Sequence, residues 1–568
     1  MNSNRLSEMK CWLPIREVFA NYTLDFFKRD FIAGVVLSTL LIPVGMGYAE
    51  AAGLPAIYGL YATIVPLIVY AIFGPSRIMI LGPDSSVAAL ISVTIIPLAP
   101  GNPQRAVMLA GALAMISGAL CVLAGVFKLG FITDLLSKPI RYGYLNGIAL
   151  TVMIGQLPKL LGFPIVGENL LQEASALYRG VQDGLVNFMA LALGGLSLTL
   201  IFFFRRFIPQ VSGVLVAVVV TTLLAAYFDL SSTAGIAVVG SLPQGLPDFY
   251  LVSPSFSDLR LLLGGALAIA LVSFADTSIL SRSLALSGGY RVNSNQELIA
   301  LGLANISCGL FQGFPISSSA SRTSVAKFAG AKTQIAGVIG ALTVSFVLLF
   351  APNLLHSLPQ ATLAAVVISA VWGLVEVSGV IRLYRLRPTE FLLSVVCFLG
   401  VAFFDAIQGI FIAVGLALAA FVWRAWRPYD AVLGYVESLH SYHDITRYPQ
   451  ACCVPGLVLF RWDAPLFFAN ADIFREHIRQ VIQSAPTPTK WVVVAAEPVT
   501  DIDITASEVL AELDSELEAI GIDLCFAEMK DPVKDQLRRY GLFARFDEHT
   551  YFPTVEQAVE RYREIHEI

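Results

Sequence analysis

Fourteen apolar segments follow one another between Phe31 and Arg427, at 31–49, 57–73, 85–98, 107–127, 140–157, 186–204, 211–228, 260–280, 297–313, 320–330, 333–350, 361–378, 389–404 and 407–425. A water-soluble core cannot absorb so many, whereas helices of this length fit a hydrocarbon layer of ~30 Å at 1.5 Å per residue. Composition agrees: the chain is 56% hydrophobic and 14% charged, where a soluble domain carries roughly 25% charged residues. The reading is a polytopic α-helical membrane protein whose first partner is the lipid bilayer.

Charge divides the chain. From Asp430 onward there are 24 acidic and 12 basic residues; the first 429 positions hold 18 acidic and 25 basic. This predicts a cytoplasmic N-terminal segment over 1–30, a transmembrane domain over 31–429 and an acidic soluble domain over 430–568. Neither part has the basic stripe of a nucleic-acid binder. The seven cysteines, Cys11, Cys121, Cys308, Cys397, Cys452, Cys453 and Cys525, show no CxxC spacing and read as reduced. Histidine is scarce, so no metal site and no cofactor is expected. The N-terminus lacks a short apolar run before a small-residue cleavage site, so the first segment reads as retained.

Lys and Arg near segment ends orient the chain. With the N-terminus inside, Lys28, Arg77, Lys128, Arg205, Arg282, Lys332 and Arg385 fall in inside loops, and Arg105, Lys159, Arg179 and Arg260 outside. Both termini are then cytoplasmic, in a cytoplasmic (inner) membrane.

Two segments, beginning at Ser85 and Ala320, are too short to span. Each is third in its half of seven and follows a proline and small hydroxyl residues: Gly82-Pro83-Asp84-Ser85-Ser86, and Phe314-Pro315-Ile316-Ser317-Ser318-Ser319. Seven is odd, so the second half enters the membrane inverted. Paired broken helices in an inverted repeat mark a transporter whose site lies at the bilayer midplane. Helix N-termini offer free N–H groups and partial positive charge to an anion, and Ser318, Ser319 and Ser321 add hydroxyl donors. Arg322 would supply a charge with a fork suited to oxyanions. Asp276, mid-span in the eighth segment, needs a partner or a proton, and Arg322 is the expected partner. Asp84, either a helix cap or a second coupling group, is the alternative. Glu50 is expected to face water near the outer end of the first helix.

These residues resemble the sulfate permease family. The resemblance rests on Ile42-Pro43-Val44-Gly45-Met46-Gly47-Tyr48-Ala49-Glu50, on Asn293-Ser294-Asn295-Gln296-Glu297-Leu298, and on Gly313-Phe314-Pro315-Ile316-Ser317-Ser318-Ser319-Ala320-Ser321-Arg322-Thr323. It implies fourteen helices as a 7+7 inverted repeat with core and gate domains, a small α/β STAS domain and a homodimer. It places Tyr48, Ser85, Ser86, Asp276, Ser319, Ser321 and Arg322 around the anion. Val44 stands where many members have Gln, and Leu280 where sodium–bicarbonate members have Thr, which favours protons over sodium as co-ion. In the tail, Thr505 stands where related domains are phosphorylated; a purely structural tail is the preferred reading. The expected function is secondary active transport of a small inorganic oxyanion, sulfate first, with proton coupling. Sodium–bicarbonate or dicarboxylate transport, a nucleobase–cation symporter and an anion channel are the alternatives. No nucleophile–base pair suggests an enzyme.

Overall fold

The computed structural model describes residues 14–15, 22–130, 138–165, 170–208, 211–251, 254–404, 406–543 and 550–567. Cys11 and most of the expected N-terminal segment lie outside these. The described residues form two compact units, Met1–Ala417 and Leu418–Ile568.

In the first unit the helices are α1 (Leu24–Ala51), α2 (Ile57–Phe73), α3 (Ser85–Ile95), α4 (Pro103–Val126), α5 (Lys138–Leu161), α6 (Leu170–Gln182), α7 (Phe188–Phe207) and α8 (Gly213–Tyr227). The second half gives α9 (Phe256–Gly288), α10 (Ser294–Leu310), α11 (Ala320–Phe328), α12 (Ile335–Phe350), α13 (Gln360–Trp372), α14 (Val377–Leu386), α15 (Pro388–Leu399) and α16 (Ala406–Trp426). Each of the fourteen expected segments is represented. Besides the one-turn helix Leu230–Thr233, α6 and α14 are additional; both are amphipathic and bury few residues, which is why an apolar window passes over them. The two broken segments are helices of 11 and 9 residues.

Local chemistry sets several ends. Thr23 caps α1 through the Phe26 amide. Ser255 and Asp258 form a reciprocal capping box at the start of α9, and Gly289, at φ +67°, ends it; both are expected helix punctuation. Outward-facing Phe203, Phe207, Leu223, Phe346 and Phe421 are exposed, as a lipid-facing surface requires.

Helices α1–α4 pack with α9–α12 as the core domain, and α5, α7, α8, α13 and α15 pack together as the gate domain. In lipid, helix association rests on close backbone approach through small residues. The α4–α10 seam shows this. A Cβ on Gly302 would lie 2.5 Å from the Gly118 carbonyl oxygen, and one on Gly309 2.4 Å from that of Gly111. Gly111, Gly118 and Gly125 recur every seventh residue, so they form one stripe down α4.

The second unit carries a six-stranded sheet in the order β4-β3-β5-β6-β7-β8. Its strands are β3 (Asp430–Val436), β4 (Ser441–Asp444), β5 (Leu457–Trp462), β6 (Trp491–Ala495), β7 (Asp523–Ala527) and β8 (Tyr551–Phe552), numbered after two short strands, β1 and β2, of the first unit. β5 to β8 are parallel. Val458, Phe460 and Trp462 face a core completed by α17 (Ala471–Ser484), α18 (Ile504–Ala519) and α19 (Asp531–Arg539). Leu457 and Leu459 face the other side, covered by α20 (Val555–His566). Burial on both faces explains the continuous apolar runs of β5 and β6.

Candidate anion-binding site

The two broken helices meet head to head. β1 (Leu81–Gly82) precedes α3, β2 (Ser317–Ser318) precedes α11, and they pair antiparallel, Leu81 opposite Ser318 and Gly82 opposite Ser317. Two further bonds lock the crossing: the Ser319 amide donates to the Ile80 carbonyl at 3.0 Å, and the Ile80 amide donates to Thr323 Oγ1 at 3.0 Å. The N-termini of α3 and α11 thus share one place, buried at Ser85, Ser86, Ser319 and Arg322 and exposed at Ala320 and Ser321.

At α3, Asp84 is the N-cap and accepts from the Ser86 amide at 3.2 Å and the Ser86 hydroxyl at 3.1 Å. At α11, Ser319 holds the N-cap position without capping through its side chain. Its hydroxyl lies 3.2 Å from Ser321 Oγ. Tyr48 of α1 is buried beside Ser85, near Asp84 and Arg322. Tyr48, Ser85, Ser86, Ser319, Ser321 and Arg322 therefore converge, with Ser318 in the strand that joins them.

Arg322 is fully buried. Its Nη2 donates to the Pro83 carbonyl and lies 3.7 Å from Asp84 Oδ1. Nε and Nη1 have no protein partner, nor has Ser318 Oγ. Buried donors are almost always satisfied, so unpartnered guanidinium nitrogens point to an anion as their partner. Gly82, at φ +150°, makes room: a Cβ there would stand 2.8 Å from Arg322 Nη1.

The expected pairing of Arg322 with Asp276 is not what the fold builds. Asp84 sits at the crossing itself and takes Arg322. Asp276 on α9 instead accepts from Tyr144 Oη at 3.3 Å and lies 3.8 Å from Arg141 Nη2. Arg141 and Tyr144 stand one turn apart at the start of α5, so they share a face. Glu50 is also not simply solvated: it pairs with Lys159 Nζ at 3.2 Å, on the wall of a cavity of about 530 Å³. The one lysine lining that cavity is already paired. The unpartnered donors favour the crossing.

Sequence reasoning also passed over the groups that hold the approach to α3. Buried Glu297 accepts from Tyr70 Oη at 2.7 Å and from Ser76 Oγ. Gln334 Nε2 donates to the Ser76 and Met79 carbonyls. The Asn-Ser-Asn-Gln-Glu motif signals this scaffold only once Ser76 is seen beside it. In the tail, Thr505 is exposed in the first turn of α18, whose N-cap is Asp503, while nearby Ser507 is buried. Among the described residues no cluster of His, Cys, Asp and Glu could hold a metal.

A multi-pass membrane fold with broken helices crossing over a buried arginine defines a transporter for anions. Comparison with known proteins gives the family. The model described as the sulfate permease family matches residues 27–397, and the STAS domain model matches 448–558; the chain belongs to the sulfate permease family. A probable sulfate transporter of Mycobacterium tuberculosis is 37% identical over 97% of this chain and 98% of its own length. Sulfate transporter 4.1, chloroplastic, of Arabidopsis thaliana is 31% identical over 94% and 80%. Among solved structures, that of SLC26A9 superposes with a TM-score of 0.92 at 22% identity, over 99% of this chain and 94% of that one. The transmembrane domain of a cyanobacterium bicarbonate transporter, BicA, superposes with a TM-score of 0.60 at 21% identity, over 71% and 98%.

Proposed function

We propose that this protein takes up sulfate by secondary active transport coupled to protons, as a homodimer of the cytoplasmic membrane with both termini in the cytoplasm. The observation that carries the coupling is the charge balance of the site. Arg322 is set against Asp84 and Arg141 against Asp276. A dianion entering this neutral constellation needs a positive charge to travel with it. A proton on Asp276 supplies one, because a neutral carboxyl no longer opposes the anion. Binding of anion and proton then favour each other by the same factor. Sodium is the weaker co-ion: Leu280, one turn on from Asp276, packs against the core and offers no oxygen. The names of the relatives support sulfate over bicarbonate or dicarboxylates.

The sulfate itself is held by Arg322, by the hydroxyls of Tyr48, Ser85, Ser86, Ser318, Ser319 and Ser321, and by first-turn amides of α3 and α11. Asp276 carries the co-ion, with Asp84 next in line. The STAS domain is structural, and Thr505 is its accessible phosphorylation point should the tail be regulated.

Uptake of labelled sulfate by purified protein in liposomes tests this reading. Uptake rises as external pH falls, ignores sodium at fixed pH, and loses its acceleration by a proton gradient in Asp276→Asn. A strict sodium requirement, or a proton response that survives in Asp276→Asn, moves the coupling elsewhere.

A further inference from the structure

Asp276 belongs to the core domain, while both side chains that reach it from α5, Arg141 and Tyr144, belong to the gate domain. This is the one carboxylate of the site whose counter-ion comes from the opposite bundle; Asp84 and Arg322 both ride on core elements. The difference matters for timing. Any relative movement of the two bundles leaves Asp84 with its guanidinium and takes Asp276 away from its own.

We propose that Arg141 decides when Asp276 can take its proton, acting as a conformation-dependent competitor for the same carboxylate. This rests on the reading of Asp276 as the proton carrier. With α5 against α9, the guanidinium neutralises the carboxylate and no proton is needed. With the contact broken, Asp276 faces the low-dielectric interior as a bare charge, and a proton takes the place of the guanidinium. The carrier is therefore loaded in one position of the core and unloaded in the other, which symport requires and which a carboxylate with a fixed partner cannot provide.

The surroundings of Asp276 allow this. From α5 it meets Arg141 and Tyr144; from α3 it meets Ser86 and the charge of Asp84. On α4, Cys121 reaches the Ala270 carbonyl, well over a turn away along α9. From β2, Ser317 reaches the Ser273 carbonyl. Arg322 is engaged with Asp84 and Pro83. Arg141 is the cation at Asp276, and it is partly accessible, with 33% of its side chain exposed against 15% for Asp276.

The test is the pH profile of uptake into proteoliposomes at saturating sulfate, for wild type, Arg141→Lys, Arg141→Gln, and Arg141→Gln combined with Asp276→Asn. Without the guanidinium, protons win Asp276 at lower concentration. Half-maximal uptake in Arg141→Gln then falls at a pH higher by about one unit, a tenfold lower proton concentration, the smaller end of what a neighbouring charge produces. Arg141→Lys, with a shorter reach, falls between Gln and wild type and decides the matter if the Gln variant does not fold. The double variant is as flat as Asp276→Asn alone. A midpoint unmoved in both single variants, with the wild-type pH response intact and Asp276-dependent, overturns this inference alone. Wild-type uptake indifferent to pH overturns the coupling reading and this inference with it.

Discussion

Arg322 is the residue on which anion recognition turns. Among the described residues it is the largest fully buried charged side chain of the first unit, and two of its nitrogens have no protein partner. Arg322→Ala removes the site's central charge and leaves Asp84 without its cation. Losing one partner of a buried charged interaction costs about 2 kcal/mol or more, so sulfate affinity should fall by roughly 30-fold or more. Isothermal titration on detergent-purified protein reads this, with the gel-filtration profile confirming the fold. Unchanged affinity in a well-folded variant makes Arg322 a structural residue. Gly82→Ala is the more discriminating change. It alters no charge, but the new methyl meets Arg322 Nη1, so affinity should drop while Arg322 remains present. The serines, the arginine and both aspartates were visible in the sequence because polar residues in an apolar segment stand out. Their pairing was not. Whether Asp276 meets Arg322 or Arg141 depends on how α5 lies against α9, and residues 135 apart in the chain carry no local signal of it.

At the scale of elements, the α4–α10 seam brings backbone against backbone at Gly118 and Gly302. Gly302→Val forces the helices apart, and overpacking of this kind costs about 1–3 kcal/mol. The thermal unfolding midpoint in detergent should drop measurably. Gly264→Val on α9, where a Cβ meets nothing within 4 Å, is the control and should leave the midpoint in place. The spanning helices and both broken ones were legible from apolar length, proline and serine alone. The amphipathic α6 and α14 were not, since half their residues face a polar medium. Nor were β3, β4, β8 and α20 in the tail: β4 and β8 are too short to show a period, β3 is fixed by its pairing with β4 and β5, and the apolar positions of α20 are interleaved with charges.

For the whole molecule, a hydrophobic first unit and an acidic second one were anticipated, but the compact units divide inside α16, at Ala417, rather than after it. The sheet of the second unit has a core on each face, closed by its own helices. Tyr429 belongs with it, through its bonds to Asp444 and to the Asp463 amide. A fragment beginning at Pro428 should therefore be soluble and unfold in a single cooperative transition by circular dichroism, with no transport activity. A fragment that aggregates or lacks a transition under all conditions contradicts the division into two folding units. The central claim, that the anion sits where α3 and α11 cross, is open to direct observation. Crystals grown with selenate, an isostere of sulfate, give anomalous density at the selenium edge. One peak within hydrogen-bonding reach of Arg322, Ser86 and Ser321 is the expected result; a peak confined to the cavity beside Glu50 and Lys159, with none at the crossing, would contradict it.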